Sequence, residues 1–128
     1  MSGSILGYKV VRVGPDDQLL SATPCGPWDV TYEPDVLVEP RLGGLFAFVF
    51  LRDARAFTAR TLRLGMAKAF EVWEAELDEA QLEGAMAAAP QYYERFWRGD
   101  LAPEFRFRAP PGTFLASAVR LLQRVRAQ

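Results

Sequence analysis

Residues 65–89, GMAKAFEVWEAELDEAQLEGAMAAA, decide the fold. At helical spacing, Met66, Phe70, Trp73, Leu77 and Ala80 share one face, and the Ala, Glu and Lys between them are good helix formers. That describes one long helix. At a period of two, Ala69–Leu77 is a strand with Phe70 and Val72 on one face and Trp73, Ala75 and Leu77 on the other. Asp78 to Ala89 is then a separate helix that ends before Pro90. The residues alone leave both readings open.

Upstream, the signals are mostly those of strands. Residues 5–13, ILGYKVVRV, are rich in β-branched and aromatic types. Gly14-Pro15-Asp16-Asp17 is a turn, because Pro presets φ and Asp bonds its own backbone. Leu19–Ala22 reads as a short partner strand, Trp28–Tyr32 as a half-buried strand, and Val36–Val38 as a short extended piece. The apolar run Leu45–Leu51 follows Gly43-Gly44 and fits a strand buried on both faces. Asp53 then caps a helix whose inward side carries Ala54, Phe57 and Thr61. Downstream, Gln91–Trp97 reads as a helix stopped by Gly99, Phe105–Arg108 as a strand or extended edge, and Pro110-Pro111-Gly112 as a turn. Residues 113–126 fit either a helix or a final strand at Val119–Val125. Strands and helices alternate without a βαβ rhythm, so the expected class is α+β: a single compact domain over 1–128, mostly antiparallel sheet with two to four helices, and a flexible start at 1–4.

At 128 residues, half of them hydrophobic and sixteen aromatic, the chain can build a core without disulfide or metal. It has no His and one Cys. A His-dependent triad, a His-ligated haem, a zinc finger and an intrachain disulfide are excluded. Cys25 sits in a Pro-Cys-Gly-Pro turn with no His to activate it, so an inert thiol is expected. No basic-then-apolar leader opens the chain, and Leu45–Leu51 is far too short to span a bilayer. A soluble, cytoplasmic protein is the expectation by default.

Charge divides unevenly. Residues 1–90 carry 8 basic and 13 acidic side chains, a net −5, whereas residues 91–128 carry 7 and 3, a net +4. The near-neutral total of −1 argues against a dedicated duplex nucleic-acid binder. The basic third suits an acidic partner, or is simply a solvated face.

No phosphate-binding glycine loop, nucleophile elbow or kinase signature occurs. The carboxylates at 71, 74, 76, 78, 79 and 83 come from one stretch, whereas a metal site wants oxygens converging from several elements. Neither metal nor cofactor is therefore expected. Phe105-Arg106-Phe107-Arg108 interleaves aromatics with Arg, close in sequence to Tyr92, Tyr93, Phe96 and Trp97. Such a surface can stack single-stranded bases; the plainer reading turns the Phe residues to the core and the Arg residues to water.

Several pieces in order resemble small uncharacterised domains of phages, large viruses and prokaryotes: Gly7-Tyr8-Lys9-Val10-Val11, Trp28–Tyr32, Gly43–Phe48, Asp53–Phe57, Val72-Trp73-Glu74, and Pro111-Gly112-Thr113 with Val119–Leu122. The resemblance brings no activity with it. The layout is also distantly similar to the ADP-ribosyltransferase-like fold. That likeness implies strands at 69–77 and 118–125. It implies NAD contacts at Lys9, Arg12 and Phe48 and a catalytic acid at Glu74 or Glu76, although this chain lacks the first-strand His and has Phe at the aromatic position.

The leading expectation is a non-enzymatic binding protein, of phage or viral type, that docks a protein partner through Tyr92, Tyr93, Trp97, Arg98, Arg106 and Arg108, residue types enriched at interface hot spots. The alternatives are an NAD-handling enzyme using the residues just named, and a self-assembling structural subunit.

Overall fold

The computed structural model describes residues 3–22, 26–63, 70–87 and 90–126. Strand β1, Ser4–Val13, is the longest, and its Val and Tyr side chains suit a pleat packed on both sides. Val11 enters one buried cluster and Val10 the other, so β1 separates two apolar layers.

The remaining strands are β2 (Leu19–Ser21), β3 (Thr31–Tyr32), β4 (Leu37–Val38), β5 (Leu45–Phe48), β6 (Phe70–Asp78), β7 (Gln81–Leu82), β8 (Ala85–Ala87), β9 (Arg106–Arg108), β10 (Thr113–Ala116) and β11 (Ala118–Arg124). Two α-helices, α1 (Leu51–Arg63) and α2 (Tyr93–Arg98), interrupt them. Among the described residues, nine strands form one sheet in the order β4-β11-β6-β1-β5-β10-β7, with β2 and β3 branching from β1. β8 and β9 make a separate two-stranded ribbon. Every pairing is antiparallel. The fold is thus a single compact body dominated by sheet, with two α-helices among the described residues.

Residues 70–78 form a strand because tertiary pairing outweighs helix propensity. β6 lies between β1 and β11, paired with β1 from Ser4↔Asp78 to Arg12↔Phe70. Ala75 and Leu77 are fully buried on one face, while Phe70 and Val72 pack beneath α1 with Val10, Phe48, Ala54 and Phe57 on the other. A helix buries one stripe; this stretch has to bury both faces.

The helix expected over Asp78–Ala89 is absent from its described part. Glu79 adopts φ 50, and the chain reverses into β7 and β8. The Glu83 N–H donates to the Thr113 carbonyl, and Glu83 Oε1 accepts from the Gly84 and Ala85 amides. A side chain that holds its own neighbouring amides competes directly with a helix. Residues 88–89, like Met66 to Ala69, lie outside the described residues.

Other expectations shift at their ends. Trp28 closes a short 3-10 turn, and only Thr31–Tyr32 of the segment forms strand. α1 begins at Leu51, two residues before Asp53, because the Asp53 and Ala54 amides already donate to Phe50. Its inward side does carry Ala54 and Thr61 buried, with Phe57 partly so. The start is tied in: Ser4 pairs with Asp78, and the Gly3 carbonyl accepts from Glu79. α2 ends at Gly99 in the left-handed conformation, φ 78, as its sequence predicts. The stretch after Gly112, which stands at φ 80, forms strands at Thr113–Ala116 and Ala118–Arg124 rather than a helix.

Two glycines permit close approaches. At Gly7, a Cβ would lie 2.7 Å from the Phe48 carbonyl oxygen, so glycine lets β5 come alongside β1. Gly43, at φ 70, lies flat against the Trp97 ring with no room for a Cβ. Gly43→Ala is expected to destabilise the chain by about 2 kcal/mol, from left-handed strain plus displacement of Trp97. Gly84→Ala has nothing within 4 Å of the added carbon and no positive φ, and is expected to stay within about 0.5 kcal/mol of the parent. Urea unfolding of both variants checks the pair; equal stabilities would show that Trp97 does not anchor on Gly43.

Candidate functional site

The first candidate site arises from how β1 shares its edges. One edge pairs continuously with β6. The other is divided: β5 meets it at Tyr8↔Phe48, and β2 takes Val11 to Val13. Between these two pairings the sheet forks. The register with β5 stops at Tyr8, and two residues along β5 the Phe46 carbonyl accepts from Lys9 Nζ at 2.5 Å.

A cavity of about 60 Å³ occupies the fork. Lys9 and Val10 of β1 form its floor with Phe46 and Phe48 of β5. Ser21 and Ala22 at the end of β2, together with Tyr32, form one wall; Phe57 of α1 and Thr113 of β10 contribute another. Met86 of β8 and Tyr93 of α2 reach in from the segment above. Lys9 is 5% exposed, and its ammonium stands 5.5 Å from the Tyr32 ring centroid. A carbonyl oxygen and a ring face both attract a cation.

The structure therefore brings together two of the residues that the ADP-ribosyltransferase-like likeness implies, Lys9 and Phe48. It does not bring the others. Arg12 does not line the cavity: its Nη2 lies 3.3 Å from Asp29 and its Nε donates to the Ser21 carbonyl. Glu74 is exposed, opposite Tyr8, and Glu76 is the direct cross-strand partner of Arg120, whose guanidinium donates to it. Neither carboxylate lines the cavity. Among the described residues no cluster of acidic, Cys or His side chains is placed to hold a metal.

The second candidate site is the surface over residues 91–108, and here the expected residues divide. Tyr93 lines the cavity and meets Trp97 edge-on, with ring centroids 5.9 Å apart. Trp97 packs on Gly43, Phe46 and Phe96, and its Nε1 is buried with no hydrogen-bond partner among the described residues. Tyr92 stacks on Phe105 at 4.6 Å. These three aromatics fasten the segment to itself and to the sheet. Arg98, Arg106 and Arg108 face solvent, Arg98 in a loose pair with Glu94 at 3.4 Å.

The Phe residues of 105–108 do not face the core. Phe107 is 57% exposed and Phe105 38%. Among the described residues β9 pairs only with β8, and although its cross-strand partner Met86 reaches the cavity, Phe107 itself is left more than half uncovered. Sequence reasoning nominated the arginines and missed the exposed Phe between them, because alternation in a strand implies a buried face only where a layer lies behind it. Cys25 lies outside the described residues.

Compared with protein-family models, curated proteins and solved structures, the chain matches none. No helix among the described residues is long and apolar enough to cross a membrane.

The Arg120–Glu76 pair is about one-third exposed on both sides, so solvent screens it. A double-mutant cycle with Arg120→Ala and Glu76→Gln is expected to give a coupling of about 0.5 kcal/mol that shrinks as salt is raised. A coupling several times larger and insensitive to salt would mean that Glu76 sits in a drier setting than its exposure indicates.

Proposed function

We propose that the chain is a non-enzymatic binding protein that docks an acidic protein partner on the β8–β9 ribbon and the arginines beside it. One observation carries the reading: Phe107 is more than half exposed between the exposed Arg106 and Arg108. A large apolar side chain left in water, flanked by cations able to make forked bonds to carboxylates, has the make-up of an interface anchor. Arg98 and the exposed edge of Phe105 lie on the same segment, and the +4 charge of residues 91–128 suits an acidic partner. Tyr92, Tyr93 and Trp97 act beneath this surface, holding it in shape.

The NAD-handling reading draws on Lys9 and Phe48 meeting at one cavity. It requires a carboxylate beside the bound sugar, and Glu74 and Glu76 stand elsewhere on the sheet. The cavity is also many times smaller than a dinucleotide. Titration with NAD, followed by tryptophan fluorescence, separates the two readings. Saturable binding lost on Glu74→Gln or Glu76→Gln favours the enzyme.

For the docking reading, Phe107→Ser and the double change Arg106→Glu with Arg108→Glu are each expected to reduce partner capture from host lysate by about tenfold or more. Circular dichroism and melting temperature should stay at parental values, since these side chains support no core. Undiminished capture by both variants would place the interface elsewhere.

A further inference from the structure

We propose that the chain forms a two-fold dimer through the open face of its sheet, with the row Leu37–Arg120–Glu76–Leu6 packed against the same row of a second copy. This contact is independent of the docking surface on the ribbon.

Register fixes the row. Leu37 of β4 stands opposite Arg120 of β11, Arg120 opposite Glu76 of β6, and Glu76 opposite Leu6 of β1. Directly paired residues share a face, so four adjacent strands present leucine, arginine, glutamate and leucine in one line. Two residues along β6, Glu74 continues the same face between Gln123 of β11 and Tyr8 of β1. α1 covers this face only farther along, over Val10, Phe48, Phe70 and Val72. Leu6 is 71% exposed and Leu37 52%, and Gln123 and Glu74 are exposed as well.

The order of the residues selects the occupant. Strands in a sheet are evenly spaced, so the row is balanced about the line between β11 and β6: apolar, basic, acidic, apolar. A two-fold axis along that line, parallel to the strands and midway between two stacked sheets, sets Leu37 on Leu6 of the second copy and Arg120 on Glu76 of the second copy. The same operation repeats both contacts with the copies exchanged. In the next row it sets Gln123 on Glu74 of the second copy, a donor on a carboxylate. No like charges are opposed in either pairing. A second copy therefore carries the complement of this row at the spacing of the row itself.

The ion pair has bonding capacity left for such a neighbour. Arg120 Nε and Nη2 both donate to Glu76 Oε1, which leaves Glu76 Oε2 and Arg120 Nη1 without a hydrogen-bond partner among the described residues. Two copies close these groups into a ring in which Arg and Glu alternate, each Arg between two carboxylates. A net charge of −1 per chain leaves little long-range repulsion to oppose the approach. The row and its neighbour make a patch smaller than a standard interface, so the association is weak, half-complete at roughly 100 µM chain.

Sedimentation equilibrium of the full chain, from micromolar to millimolar concentration, tests the contact. The average mass is expected to climb from the 14.3 kDa of one chain towards twice that value. Leu6→Glu and Leu37→Glu, both at exposed positions, are each expected to weaken the dimer by about tenfold or more. Arg120→Glu presents two carboxylates and Glu76→Arg two guanidiniums, so each alone should stay monomeric, whereas their equimolar mixture should dimerise again. Phe107→Ser should leave the mass curve of the parent unchanged, so that failure of the ribbon as a docking surface and failure of this dimer are read separately. A mass that stays at one chain throughout the range overturns the proposal and leaves the face to another occupant. A dimer untouched by both leucine changes, or abolished by Phe107→Ser, overturns this face as the contact. Dimers lost in the leucine variants but not recovered on mixing the charge variants overturn the two-fold alignment.

Discussion

The structure depends on how one strand divides one of its edges between two partners. β1 pairs with β6 from Ser4 to Arg12 on one side, but on the other it meets β5 at Tyr8 and β2 from Val11 onward. Buried backbone groups need partners, and a fork in a sheet is where a ladder stops supplying them. Lys9 sits at that point, and its ammonium reaches the Phe46 carbonyl across the gap. A long aliphatic stem ending in a donor is well suited to bridging strands that have parted, because the methylenes pack in the core while the head satisfies an acceptor. The arrangement binds in both directions: the carbonyl needs a donor, and the buried ammonium needs acceptors. Removing either leaves a polar group in the interior.

The rest of the fold arranges itself around that seam. Gly7 lets β5 approach β1, and α1 lays Ala54 and Phe57 over Val10 and Phe48. On the opposite face Val11, Ala75, Leu77, Val119 and Leu121 form the larger buried cluster with Tyr32. Trp97, seated on Gly43, draws the segment of α2 down over the end of β5. The cavity is thus the unfilled remainder of a junction at which three directions of chain meet.

Much of this is written locally in the sequence, and the exceptions have physical causes. β1 is legible in its Val and Tyr content, and the end of α2 in Gly99. Phe70–Asp78 is legible only as one of two alternatives, since its Glu and Ala favour a helix and burial on both faces decides for the strand. Asp78–Ala89 reads as a helix for the same reason, and Glu83 holding the Gly84 and Ala85 amides helps to turn it into extended chain. Of the site, Arg106 and Arg108 are legible as exposed charges. Phe107 is not, because alternation cannot reveal whether a layer lies behind a strand. Lys9 carried one unused signal: a lysine inside Gly-Tyr-Lys-Val-Val, in a chain that otherwise uses arginine almost throughout. Lys shortens its reach and hides its charge more readily than Arg, which suits a buried position.

The two candidate sites share an element. Met86 and Phe107 are cross-strand partners in the β8–β9 ribbon, so their side chains leave the same face. Met86 lines the cavity, while Phe107 stands in solvent. Tyr93 likewise lines the cavity and contacts Trp97, from the helix that carries Arg98. A partner that shifts the ribbon therefore shifts a wall of the cavity. Among the described residues the ribbon has only two strands. It has little packing of its own to resist such a shift, unlike β1 at the centre of the sheet.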